Sequence, residues 1–134
     1  MDIFVDTSVW SLALRRDAIT GGPAVGRLRA ALEVGEGVFT TGLVLQELLQ
    51  GFHGPKARDA IVERFAALPL LVPDRTDHVE AAALRNTCRR RGVQVGTIHA
   101  LLAQLCRRYE LVMLSTDRDF ELLARHVDLR LWAP

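Results

Sequence analysis

No apolar run in this chain approaches the roughly 18 residues that a membrane span requires, so a membrane protein is not expected. No secretory leader is read ahead of the first strand, and the expected location is the cytoplasm. Cysteine is scarce. Cys88 and Cys106 fall inside helix-like stretches without metal spacing, which leaves buried thiols in a reducing compartment as their reading. Charge of one sign is missing as well: 17 basic against 16 acidic residues give a formal +1, which excludes a strongly basic nucleic-acid binder. Lysine is almost absent, since Lys56 is the single one and every other basic residue is Arg. Arginine makes the better fork for phosphate or carboxylate, but a biased genome gives the same skew. Several motifs are also lacking. There is no G-x-x-x-x-G-K-[ST] phosphate loop, no G-x-G-x-x-G dinucleotide turn and no G-x-S-x-G elbow. The four histidines, His53, His78, His99 and His126, are scattered without zinc-like spacing.

What is present is a chain of 134 residues, 49% hydrophobic, enough for one domain over residues 1–134 with a real core. Ile3-Phe4-Val5 reads as a short buried strand that runs into Asp6, with Thr7-Ser8 capping a helix through Leu14. Arg15-Arg16-Asp17 and Gly21-Gly22-Pro23 mark a polar break, after which a second helix runs to Gly35. Gly37 to Thr41 is a brief strand, and Gly42 opens a third helix that ends at Gly51 with Glu47 among leucines. Pro55 opens a fourth helix through Ala66. Leu68 to Pro73 reads as a strand near the sheet edge, with proline at either end. Asp74 to Thr76 cap a long helix to Arg91, with Val79, Ala82, Ala83 and Leu84 expected inward. Thr97 caps the most periodic helix, striped by Ile98, Leu101, Leu102, Leu105 and Cys106. Leu111 to Leu114 has the continuous apolar run of a central parallel strand. Ser115-Thr116-Asp117-Arg118-Asp119 opens the last helix, and Leu129 to Trp132 reads as a final strand. The alternation predicts an α/β domain with a mainly parallel sheet and helices on both faces.

In such a sheet the carboxyl ends of the strands line one edge, so Asp6 and the Asp117/Asp119 pair should share a crevice that Glu47 can join. Asp6 alone would be read as a helix cap; the further acids shift the reading toward chemistry. Three or more converging carboxylates repel one another unless they are protonated or bridged by a cation. Mg²⁺ or Mn²⁺, hard ions that prefer oxygen, are the natural bridge, and they assist phosphodiester hydrolysis by activating water. A phosphate-accepting receiver domain would need paired acids after the first strand and a late lysine, neither of which is present.

Four segments together resemble the successive motifs of PIN-domain ribonucleases: Ile3 to Trp10, Gln46-Glu47-Leu48, Gly96 to Ala103, and Leu114 to Phe120. Their wording and the small size are similar to the VapC toxins of bacterial toxin–antitoxin pairs. The resemblance implies a three-layer α/β/α sandwich around a five-stranded parallel sheet, with an acidic Mg²⁺/Mn²⁺ pocket that cuts RNA. It also implies a homodimer and a VapB-type antitoxin that blocks the pocket. Asp6, Glu47 and Asp117 match the acidic ligands, and Asp119 matches a nearby assisting acid. One position departs from the pattern: Thr97-Ile98-His99 stands where the motif has Thr-Ile-Asp. His99 either gives a nitrogen to Mn²⁺, with weakened activity, or packs as a hydrogen-bonded ring and leaves an RNA- and antitoxin-binding module that does not cut. Thr7 and Ser115 either cap or orient a ligand carboxylate or the phosphate. The clusters Arg15-Arg16, Arg89 to Arg91 and Arg107-Arg108 are each either a solvated face or contacts to the RNA backbone.

Overall fold

A computed structural model describes residues 1–15 and 22–134. The polar break expected at Arg16-Asp17 and Gly21 lies outside the described residues. The elements run β1 (Ile3–Val5), α1 (Thr7–Leu14), α2 (Gly22–Val34), β2 (Val38–Thr41), α3 (Gly42–Gly51) and α4 (Pro55–Ala66). They continue with β3 (Leu70–Leu71), α5 (Arg75–Arg90), α6 (Thr97–Arg108), β4 (Val112–Leu114) and α7 (Arg118–Ala124).

Every strand pair is parallel, and the order β3-β2-β1-β4 puts the first strand inside the sheet. Ile3, Phe4 and Val5 are fully buried, which is why an uncharged β-rich triplet can occupy that place. β3 is an edge strand, as its flanking prolines require. The chain extends the sheet outward from β1 through β2 to β3, then crosses back to lay β4 on the other side of β1. That reversal opens a crevice between the carboxyl ends of β1 and β4.

The fifth strand expected over Leu129 to Trp132 is corrected to a single bridge, Met113 to Leu131. Met113 N–H donates to Arg130 and Trp132 N–H donates to Met113, so both hydrogen bonds converge on one residue. β4 is three residues long, and the final Pro134 has no N–H to extend the ladder. The sheet is therefore four-stranded among the described residues.

Helix α5 buries Leu84 as expected, but the rest of its inward face differs from the one expected. Val79 is 60% exposed, and Ala82 and Ala83 also face outward, while Asp77, Ala81, Leu84 and Cys88 turn in at helical spacing. A carboxylate leads that buried stripe. Asp77 and Asp74 form a reciprocal capping box, each side chain accepting from the other's backbone N–H at 2.9 Å. Arg108 on α6 donates to Asp77 at 2.6 Å, and Gln104 adds a longer contact. Burial by itself raises the Asp77 carboxyl, but the donors of Asp74, Gln104 and Arg108 outweigh it and hold the pKa below its ordinary 3.8. Asp77→Ala should cost about 2 kcal/mol through the lost cap and buried hydrogen bonds. The ionised share of that stability is present in full above the unfolded value and disappears as pH falls through the lower folded one. Urea midpoints should thus differ most near neutral pH, with the gap narrowing below 3.8.

Both cysteines are buried and unbonded, and burial pushes each thiol above its usual pKa. They are inert core residues. Trp10 is buried and stacks obliquely on Phe65, the ring centres 4.9 Å apart. Among the described residues, no helix is long and apolar enough to cross a membrane.

Candidate metal centre

The crevice is built from three loops. Asp6 ends β1 in extended backbone and caps α1, and it is 2% exposed. Its Oδ2 accepts from the hydroxyls of Ser8 and Ser115, both at 2.8 Å, and from the Ser8 N–H at 3.4 Å. Three donors thus converge on this one carboxylate oxygen. Ser115, just past β4, also accepts from the Asp117 N–H at 2.9 Å. Ser8 Oγ in turn accepts from the Thr116 N–H at 3.0 Å. The two strand ends are thereby stitched together by hydroxyls.

Asp117 caps α7, accepting from the Asp119 N–H at 2.9 Å. α6 delivers His99 from the opposite side. Its Nδ1 lies 2.7 Å from Asp119 Oδ2, its Nε2 lies 3.6 Å from Asp117 Oδ2, and its ring rests against Phe120. The 2.7 Å contact calls for a proton on Nδ1, donated to Asp119. Nε2 then faces the Asp117 carboxylate lone pair to lone pair, an arrangement that a proton or a metal ion between them relieves. Burial alone lowers the His99 pKa. The Asp119 hydrogen bond and the charges of Asp117, Asp6 and Asp119 outweigh it, so the pKa lies above the ordinary 6.5.

Among the described residues, the group whose ligand atoms all come within 4.8 Å of one another is His99, Asp117 and Asp119. One nitrogen with carboxylate oxygens is a donor set that suits Mn²⁺ and tolerates Mg²⁺ less well. Asp6 joins this group through Ser115. Glu47 lies outside it: half-buried on α3, its Oε1 accepts from the Thr7 hydroxyl at 2.8 Å, one residue from Asp6. Thr7 and Ser115 are thus both engaged within the site. Arg15 is exposed at the end of α1, and Arg89 is exposed near the end of α5. Sequence reasoning took Ser8 only as a cap and missed that its hydroxyl ties Asp6 to Thr116. The signal was present in the Asp-x-Ser spacing, the geometry of a side chain that bonds two residues on.

In sequence, the PIN domain family matches residues 3–126 of the chain. No curated protein matches it. Among solved structures, FitAcB from Neisseria gonorrhoeae is similar at a TM-score of 0.76 and 19% identity, covering 98% of this chain and 97% of that one. The DNA-bound VapBC from Salmonella typhimurium is similar at 0.74 and 22% identity, with 98% and 97% covered. VapC20 of Mycobacterium tuberculosis, a toxin that cleaves the sarcin-ricin loop, is similar at 0.68 and 21% identity, with 96% and 99% covered. At these identities the likeness is one of fold.

Proposed function

The chain belongs to the PIN domain family, and from that premise we propose that it is a VapC-like endoribonuclease, the toxin of a toxin–antitoxin pair, acting in the cytoplasm as one domain. The observation that carries the reading is the convergence of His99, Asp117 and Asp119 with Asp6 at the carboxyl ends of two neighbouring strands. Asp6, Asp117 and the Nε2 of His99 would hold Mg²⁺ or Mn²⁺, with Mn²⁺ favoured by the nitrogen. Such an ion activates water and offsets the charge of the attacked phosphate. Asp119 fixes the His99 tautomer, the usual service of a carboxylate behind a metal-bound imidazole. Thr7 holds one oxygen of Glu47 and leaves Oε2 to accept a proton from the attacking water or to assist the ion. Arg89 and Arg15 are the candidates for contacts to the RNA backbone.

An antitoxin of VapB type would cover the crevice. A cavity of about 330 Å³ supports a mainly apolar seat for it, lined by Leu43 of α3 and by Ile98 and Leu101 of α6, with Arg85 and Asn86 of α5 at its polar side. A basic side chain reaching from there into the carboxylates would replace the cation's charge. A second copy of the chain completes the assembly proposed.

Purified protein incubated with structured RNA and Mn²⁺ tests the reading; cutting that persists both in EDTA and in Glu47→Gln overturns it. Thr7→Val, which frees Glu47 without removing it, should slow cleavage by about tenfold, the scale of partners that orient a metal site. One observation favours a second reading. His99 already lies between two carboxylates, so its imidazolium can stand in for a cation and leave a binding module that does not cut. Cleavage by His99→Asp alone, with none by the natural chain, would select that reading.

A further inference from the structure

A recess of about 170 Å³ is walled by Arg85, Arg89, Val93, Gln94 and Val95. We infer that this recess is a preformed seat for a phosphate of the RNA strand flanking the cut site, gripped by Arg85 and Arg89. That the phosphate belongs to RNA beside the cut site rests on the nuclease reading, whereas the anion seat itself rests on the two arginines and the wall facing them.

Arg85 and Arg89 are one helical turn apart on α5, so their side chains project from one face. Arg85 is half-buried, and its Nε donates to the Val95 carbonyl at 2.9 Å. That bond uses one of five N–H donors and aims the others, which is how a guanidinium becomes a fixed fork and not a waving charge. The far wall is equally firm. Gly92 turns the chain with φ +80, Val93 N–H returns to the Cys88 carbonyl at 2.9 Å, and Val95 is buried. No carboxylate forms an ion pair with Arg85 or Arg89 among the described residues. Arg108, by contrast, is already held by Asp74 and Asp77. The end of α5 contributes a partial negative charge of about one half, which two full guanidinium charges outweigh.

Position ties the recess to the crevice. The peptide unit whose carbonyl takes Arg85 Nε is the one whose N–H, that of Gly96, lies 3.4 Å from Asp119 Oδ2. Contacts of 2.9 and 3.4 Å meeting on one peptide leave Arg85 Nε within about 9 Å of Asp119 Oδ2. A stacked strand rises about 3.4 Å per phosphate, so a strand lying across the crevice brings a neighbouring phosphate to the recess.

Anisotropy of a fluorescent single-stranded RNA, titrated with salt in EDTA so that the strand stays whole, measures the seat directly. Arg89→Gln should weaken binding about fivefold and lower the slope of log affinity against log salt by about 0.7, the value of one phosphate contact on a single strand. R85Q/R89Q should weaken it about twentyfold and lower the slope by about 1.4. Arg85→Lys, which keeps the charge and loses the fork, should fall between. Melting curves exclude misfolding of the variants. Slopes equal to that of the natural chain, or no RNA binding by the natural chain, overturn the inference; so does a double variant that loses only a protein partner. A natural chain that binds with the expected slope yet never cuts defeats the nuclease reading and leaves the seat standing. Cutting by a natural chain whose double variant binds RNA normally defeats the seat alone.

Discussion

Asp6→Asn should lower RNA cleavage at least about a hundredfold, since even the outer partners of a metal site are worth ten- to a hundredfold and this group is more central. The substitution keeps the shape of the side chain and removes one charge. Its cost comes from position: the carboxylate is 2% exposed, and Oδ2 gathers donors from Ser8 and Ser115. An amide oxygen can still accept from one hydroxyl, so the stitch between β1 and β4 survives in part and the chain should fold. Single-turnover cleavage in Mn²⁺, alongside a thermal melt, separates the two effects. A variant that folds and cuts like the natural chain would exclude Asp6 from the chemistry.

His99→Asp is the second large effect. It restores a carboxylate where the helix dipole and the ion both favour one, and should raise Mg²⁺ affinity by about tenfold or more. The pH dependence should change with it. In the natural chain a proton on the imidazole would compete with a bound ion, and the His99 pKa lies above 6.5 because Asp119, Asp117 and Asp6 outweigh burial. Ion affinity therefore climbs as pH rises through that value, approaching tenfold per unit below it, whereas the Asp variant should be flat over the same range. Stability without metal runs the opposite way. A raised folded pKa means the imidazolium's contribution is fully present below 6.5 and is lost as pH rises through the folded value. Calorimetric Mg²⁺ titrations at several pH values check the first statement, and melting in EDTA checks the second. A natural chain whose affinity ignores pH would remove His99 from the ion's surroundings.

Which parts of this were legible before folding follows from how local each signal is. Asp6 was readable because a carboxylate ending a buried apolar triplet, followed by two hydroxyls, is a local pattern that needs no tertiary information. The Asp117/Asp119 pair at the start of a helix was readable for the same reason, whereas the His99 departure was readable only against the family motif it breaks. The buried face of α5 was not. Its stripe begins with Asp77, a residue that belongs inside only because Arg108 and Gln104, more than two dozen positions later, reach it. Periodicity counts apolar residues, and the charge at the head of the stripe shifted the reading toward Val79 and Ala83. The final strand failed for a related reason: Leu129 to Trp132 has suitable composition, but whether a ladder forms depends on how much of β4 is left to pair. Ser8 was passed over as an ordinary cap because its second partner, Thr116, lies 108 positions away.

That long reach has a consequence for how the protein is made. Ser115, which holds Asp6 in place, is synthesised 109 positions after it. At roughly 5–20 residues per second, several seconds separate the two. A chain that stops before β4 leaves Asp6 without its Ser115 partner, so the crevice assembles only once β4 has emerged and docked beside β1.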